Sequence, residues 1–417
     1  MSKIKNVIPR EILNAGGMAT IETTVVLSDG SVGTASAPSG TVGVAYEAAE
    51  FTSADTSFMQ APALFKSLED IQNVIAPKII GHEANKQQEI DKILIELDGT
   101  QNKSRLGANI ILSVSAAVAK ASAESSVLPL FLYLKEFVKK PGVKIPTPIF
   151  SLINGGASNG ANLDFAEFLI IPASSKSYTE SLKIGNSVYN ALKKNLNVAN
   201  LSTLTTTRGA FAPTLPSNTE ACAILKTSIE EANLKYNFDV FMGIDASANN
   251  LSYQDKYKIK DKNTYFSSAE LIGFYKELQK TFNLLYLEDG LREEDWEGWS
   301  SLYNEMSQNT VIAGDDITAT NPYRLQMALN KKAVTAVLVK PNQVGTVIEA
   351  LAFSEIANAA GLKTVVSNRS VETNDDFIAD FAVATSADYI KFGAPQRGEH
   401  VAKYNRLLQI ERQLKSL

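Results

Sequence analysis

Five short apolar runs in the second half of this chain end in charged residues of a kind that could do chemistry together. Asp245 follows the first run, Glu288-Asp289 the second, Asp315-Asp316 the third, Lys340 the fourth and Lys391 the last. A further run, 364–366, leads into Asn368-Arg369-Ser370. Carboxylates brought together without a compensating charge repel and raise one another's pKa, and a hard divalent cation relieves that repulsion. An oxygen-only ligand set in a chain with two histidines favours Mg²⁺ over Zn²⁺. A lysine beside such a cation has its pKa lowered and can become a base, or it holds a phosphate or carboxylate as a plain charge. Arg369 suits a phosphate grip, with Ser370 adding a donor. Either role for the lysines implies a small anionic substrate.

These groups are far apart in sequence, so the elements that carry them must converge. The runs 240–244, 284–287, 311–313, 336–339, 364–366 and 389–390 read as strands, each followed by a helix-like segment. Strand ends recur about every 25 residues, close to the repeat of an eight-unit (β/α) barrel of roughly 250 residues. In such a barrel the C-terminal strand ends share one mouth, which is where the carboxylates and lysines would meet. The leading segment differs. Ile21, Thr23, Val25 and Leu27 alternate on one strand face, Asp29-Gly30 is a hairpin turn, and the return strand runs through Val32 and Thr34. Helical periodicity follows over 64–80, 90–97 and 106–123, so a small α+β domain is expected. Three prolines in 141–148 mark the linker. The expected organisation is α/β: an N-terminal α+β domain over 1–140, then a modified (β/α)8 TIM-type barrel over 141–417.

Bulk properties narrow the function classes. With 417 residues, two domains are the natural expectation. The net charge is −5, from 40 basic and 45 acidic residues without long runs, which disfavours nucleic acid and anionic membrane as partners. Cys222 is the only cysteine and lies in a helix-like apolar run, so it reads as a buried inert thiol in a reducing compartment. No apolar stretch reaches the ~20 residues of a membrane span, and no secretory signal opens the chain. The expected address is the cytoplasm.

Longer segments resemble the enolase family, the phosphopyruvate hydratases of glycolysis. They include 106–109 (LGAN), 152–156 (LINGG), 287–290 (LEDG), 294–299 (EDWEGW), 314–322 (GDDITATNP), 340–346 (KPNQVGT) and 390–395 (IKFGAP). The resemblance implies an α+β domain and a barrel whose early strands depart from simple alternation. It also implies Mg²⁺ held by Asp245, Glu288 and Asp315, with Ser39 from a loop helping to hold a second ion. Lys340 would be the base that removes a proton beside the substrate carboxylate, and Lys391 would contact that carboxylate. Arg369 and Ser370 would hold the phosphate, and Glu167 would lie near the leaving hydroxyl. The implied substrate is 2-phosphoglycerate or a similar phosphorylated acid, and the implied assembly is a homodimer.

Several positions depart from the family pattern. Residues 206–213 read TTRGAFAP where the family reads GDEGGFAP, so Arg208 replaces the general acid. Ser158 and Asn368 stand where the family has histidines, and neither His82 nor His400 matches a lost position. Residues 39–44 read SGTVGV rather than SGASTG, and Asn14-Ala15-Gly16 replaces Asp-Ser-Arg, whose arginine serves the family's dimer contact. Arginine cannot donate a proton near neutral pH, and Arg208 beside Glu167 would hold that carboxylate ionised. Three readings stay open: a hydro-lyase with impaired turnover, a non-catalytic paralogue with a binding or regulatory role, or an enzyme that keeps proton abstraction but takes a different acid, with Arg208 binding an extra anionic group.

Overall fold

The computed structural model describes residues 2–38, 45–50, 62–156, 162–262 and 264–416. The leading segment forms an antiparallel sheet in the order β1 (Ile4–Leu13), β2 (Ala19–Leu27), β3 (Val32–Ser36). Ile21, Thr23, Val25 and Leu27 are all buried on one face of β2, as period-two alternation requires. The β2–β3 turn closes with Ser31 N–H donating to Asp29 Oδ1 at 3.0 Å and with Gly30 at φ 92°. β1 was not legible as a strand. Its buried residues are irregularly spaced, and its register with β2 shifts between Ile4 and Asn6.

The helix Ala108–Ser125 lies across this sheet and is buried along almost its whole length. It approaches so closely that a Cβ on Gly33 would sit 2.1 Å from the Ala117 carbonyl oxygen. The segment expected as one helix over 64–80 is three pieces: helix Pro62–Asp70, a π turn Ile71–Ile75 and helix Ala76–Ile79. Pro77 lacks the N–H that an uninterrupted α-helical ladder would need there.

The second segment closes into an eight-stranded barrel. β4 (Thr147–Asn154), β5 (Glu167–Pro172) and β6 (Val240–Asp245) come first. A small sheet of β7 (Ser252–Tyr253), β8 (Lys256–Lys258) and β9 (Tyr265–Phe266) then intervenes. β10 (Tyr286–Glu288), β11 (Val311–Gly314), β12 (Ala336–Val339), β13 (Lys363–Ser367) and β14 (Tyr389–Lys391) complete the barrel, with β14 closing onto β4. β5 is antiparallel to both neighbours, and all the other pairings are parallel. The interior is filled by Ile149, Leu169, Ile171, Tyr286, Val311, Ala313, Ala336, Leu338 and Val365, so the barrel is a packed core and not a pore. β4 and β5 are buried along nearly their whole length and show no alternation, which hid them from periodicity.

The two segments are tied together by buried polar bonds. Asp91 Oδ1 accepts from Gln87 Nε2 at 2.9 Å and from Ser115 Oγ at 2.6 Å, and its Oδ2 accepts from Ile348 N–H at 3.0 Å. That last bond satisfies a free donor at the start of the helix Val347–Ala359. Among the described residues no helix is long and apolar enough to cross a membrane.

Candidate active site at the barrel mouth

Strand register assembles the site. Glu288 pairs with Asp245 across β10 and β6, and Lys391 pairs with Ser367 across β14 and β13. Because β5 runs against its neighbours, its first residue reaches the same rim: Glu167 lies opposite Asp245 on one side and Asn154 on the other. The reversed strand thus adds a carboxylate that parallel alternation would have pointed away.

The carboxylates fall into two overlapping groups whose oxygens lie within 4.8 Å of one another: Asp245 with Glu288 and Asp289, and Asp289 with Asp315 and Asp316. Asp289 is the shared member. Its φ of 45° breaks the strand alternation directly after β10, so consecutive residues 288 and 289 both contribute. Asp289 also accepts from the backbone N–H groups of Asp315 and Asp316, at 2.9 and 3.1 Å. Of the expected trio, Asp245 and Glu288 fall in the first group and Asp315 in the second, and Asp289 is the residue the two groups share.

Crowding is visible in the proton affinities. Burial, reinforced by the charge of Asp245, pushes Glu288 up to about 8. Burial and Asp315 push Asp316 up to about 7, and burial with Asp316 and Asp315 pushes Asp289 well above the usual carboxylate range. An all-oxygen, mutually repelling set of this kind fits a hard divalent cation.

The cations of the mouth are all engaged. Lys391 Nζ lies 2.6 Å from Glu288 Oε1, 3.0 Å from Asp245 Oδ2 and 3.8 Å from Glu167 Oε1. Burial alone would lower this ammonium, but the charges of Asp245, Glu167 and Glu288 outweigh it and hold Lys391 well above its ordinary value. Lys340 Nζ bonds to Asp315 Oδ2. Burial would raise Asp315, yet Lys340 outweighs it and keeps the carboxyl low. Arg369 is gripped at two points by Glu47, and Gln343 Nε2 donates to both Glu47 and Asp315, at 2.9 and 3.3 Å. Ser370 follows Arg369 and is half-buried. Glu47 had no signal of its own in the sequence, since its partner is 322 residues away.

Arg208 meets Glu167: its Nε is 2.9 Å from Glu167 Oε1. Burial would raise the Glu167 carboxyl, but Arg208 and Lys391 together outweigh it and hold Glu167 below the usual range. Asn368 is buried, with Nδ2 3.5 Å from the Phe392 carbonyl and Oδ1 without a partner among the described residues. Ser39 and Ser158 lie outside the described residues. His82 is exposed in a bend far along the chain from these strands, and His400 is fully buried near the start of the last helix. Burial depresses the His400 imidazole to about 4. Cys222 is buried, and desolvation drives its thiol upward, so it is inert.

Comparison with known proteins gives a consistent picture. Residues 4–134 match the family described as Enolase, N-terminal domain, and residues 142–417 match Enolase, C-terminal TIM barrel domain. A protein named Enolase from Bdellovibrio bacteriovorus is 41% identical over 414 residues, covering 99% of this chain and 97% of that protein. Another named Enolase, from Acidothermus cellulolyticus, is 43% identical over 415 residues, covering 99% and 95%.

Proposed function

The chain belongs to the enolase family, and we propose that its barrel mouth binds Mg²⁺ and a phosphorylated 2-hydroxy acid such as 2-phosphoglycerate. In this reading it abstracts the C2 proton but expels hydroxide poorly. Asp245, Glu288 and Asp315 would hold the cation, with Ser39 serving a second one. When bound, the cation supplies a sink for charge gathering on the substrate carboxylate. Lys340 takes the proton at Nζ, Lys391 holds the carboxylate, and Arg369 with Ser370 grips the phosphate. The observation that carries the impairment is the ion pair of Arg208 with Glu167. Proton donation to the leaving hydroxyl is normally worth ~10²–10⁴-fold. Arg208 has no proton to give, and Glu167, held ionised, has none either.

The second reading, a non-catalytic paralogue that binds or regulates, draws support from the pairing of Arg369, Lys340, Lys391 and Arg208 with the chain's own carboxylates. Formation of phosphoenolpyruvate from 2-phosphoglycerate and Mg²⁺, measured beside an ordinary enolase, tests the proposal. Equal rates would overturn the impaired-acid reading. We also propose a cytoplasmic homodimer: Gly16 removes one ion pair, but an exposed pair is worth only ~0–1 kcal/mol. Sedimentation showing only monomer at micromolar protein would refute that.

A further inference from the structure

Arg208 is only partly used. Its Nε serves Glu167 at 2.9 Å, and its backbone is fixed on both sides: N–H to Thr206 Oγ1 at 3.2 Å, and carbonyl from Ala394 N–H at 2.9 Å. The guanidinium Nη1 is buried with no hydrogen-bond partner among the described residues. Glu167, 2% exposed, likewise has Oε2 without one. A buried donor on a permanent cation is costly to leave unpaired, more so than a neutral one.

The charges around this corner are unevenly shared. Glu167 Oε1 lies 2.9 Å from Arg208 Nε and 3.8 Å from Lys391 Nζ, but Lys391 is held more closely by Glu288 and Asp245, so Arg208 is the nearer cation to Glu167. Arg208 also feels Asp245, Glu288 and Asp315, which places it within electrostatic reach of the mouth and not on the outer surface. An anion arriving beside Glu167 would meet a preformed, partly dry donor fixed at both backbone ends.

We infer that Arg208 makes this mouth selective for an acid that carries a second carboxylate on C3, where a hydro-lyase substrate carries its hydroxyl. The preferred ligand class is a four-carbon dicarboxylate bearing a phosphate or phosphonate on C2. The inference rests on the anion-binding reading of the mouth given above and adds the substrate class. Lys391 and the metal-holding wall take the first carboxylate, Arg369 takes the phosphorus group, and Arg208 Nη1 takes the second carboxylate.

A matched pair of probes isolates that last contact. 2-Phosphonopropanoate and 2-phosphonosuccinate differ by the C3 carboxylate, and calorimetric titration of the full chain in Mg²⁺ at fixed ionic strength compares them. The succinate is expected to bind about tenfold tighter, the size of one hydrogen bond between charged groups. Arg208→Gln should erase the preference while leaving 2-phosphonopropanoate binding within about threefold. That variant leaves the buried Glu167 with only the more distant Lys391 as its counter-charge, so the double variant Arg208→Gln/Glu167→Gln, which removes both charges, provides a second measurement if the first does not fold. Equal affinity of the two probes in the parent protein, or a preference that survives in either variant, overturns the inference and leaves the anion site standing. If neither probe binds, the anion-site reading itself fails and this inference with it.

Discussion

Glu47 and Arg369 form a two-point ion pair, with Arg369 Nη1 and Nη2 each 2.7 Å from a different Glu47 oxygen. Both side chains are nearly excluded from solvent, at 5% and 7% exposure. The segment carrying Glu47 is fastened over the mouth on either side. Tyr46 O–H donates to Glu294 at 2.6 Å, the Arg324 guanidinium stacks 4.0 Å from the Tyr46 ring, and Asn342 Nδ2 donates to Glu50 at 2.7 Å. A carboxylate of the chain therefore holds the guanidinium that a phosphate would need.

The first prediction follows from this competition. Replacing Glu47 by Gln removes the rival anion while keeping the shape, so inorganic phosphate should bind about tenfold more tightly than to the parent. The variant should also be less stable without phosphate, because Arg369 is then buried without a counter-charge, and added phosphate should restore the loss. Thermal denaturation with and without phosphate measures both. Identical phosphate-induced shifts in parent and variant would show that Arg369 is not an anion site.

The second concerns the metal. Mg²⁺ should raise the melting temperature of chelator-treated protein, by an amount equivalent to about 2.7 kcal/mol at a hundred times its Kd. Asp315→Ala should remove that gain, since it deletes one carboxylate and frees Lys340 to contest the wall. An unchanged melting temperature in the parent would count against the metal site.

How far these features could be read from sequence depended on how local their causes are. Asp245, Glu288 and Lys391 were legible because each ends a strand in the same part of the barrel, and period-two or short apolar runs mark such strands. Glu167 came only through resemblance. Its strand is uniformly buried and reversed, so no periodic signal announced that its first residue, and not its last, would face the mouth. The role of Asp289 depends on a positive φ, and that of Glu47 on a partner in the other half of the chain. Neither is written in neighbouring residues.

The third prediction is a pH dependence at the junction of the two segments. Burial pushes Asp91 up to about 6 from an ordinary 3.8, despite the bonds from Ser115, Ile348 and Gln87. A carboxyl whose folded pKa is raised binds its proton more tightly in the folded state than in the unfolded one. Stability from this group is therefore fullest below pH ~4 and falls as pH rises through ~6, then stays level. The shift of about two units corresponds to about 3 kcal/mol. In denaturant titrations, the difference in unfolding free energy between the parent and Asp91→Asn should decline by roughly that amount between pH 4 and pH 7. A flat difference would place the proton elsewhere in the network.

The last prediction separates the two halves of the proposed reaction. Lys340 is buried beside Asp315 at the mouth, and the groups proposed to hold the substrate's carboxylate and phosphate are present. The C2 proton of 2-phosphoglycerate can then be removed and returned without any group at the leaving hydroxyl. Expulsion of hydroxide needs a donor, and Glu167, the carboxylate proposed to lie near the leaving hydroxyl, is held ionised by Arg208 and Lys391. In deuterated solvent with Mg²⁺, exchange of the C2 hydrogen should therefore outpace phosphoenolpyruvate formation, by a factor on the order of the 10²–10⁴ that a general acid contributes. Lys340→Ala should stop the exchange. Arg208→Glu should raise dehydration more than exchange, and only in part while Ser158 and Asn368 stand where the family has histidines. NMR follows the loss of the C2 proton signal and absorbance follows the product, in one sample. Dehydration that keeps pace with exchange would show that Glu167 or a water molecule replaces the missing acid. An absence of both exchange and binding would leave the retained residues without a reaction to serve, and the binding or regulatory reading would stand in place of the catalytic one.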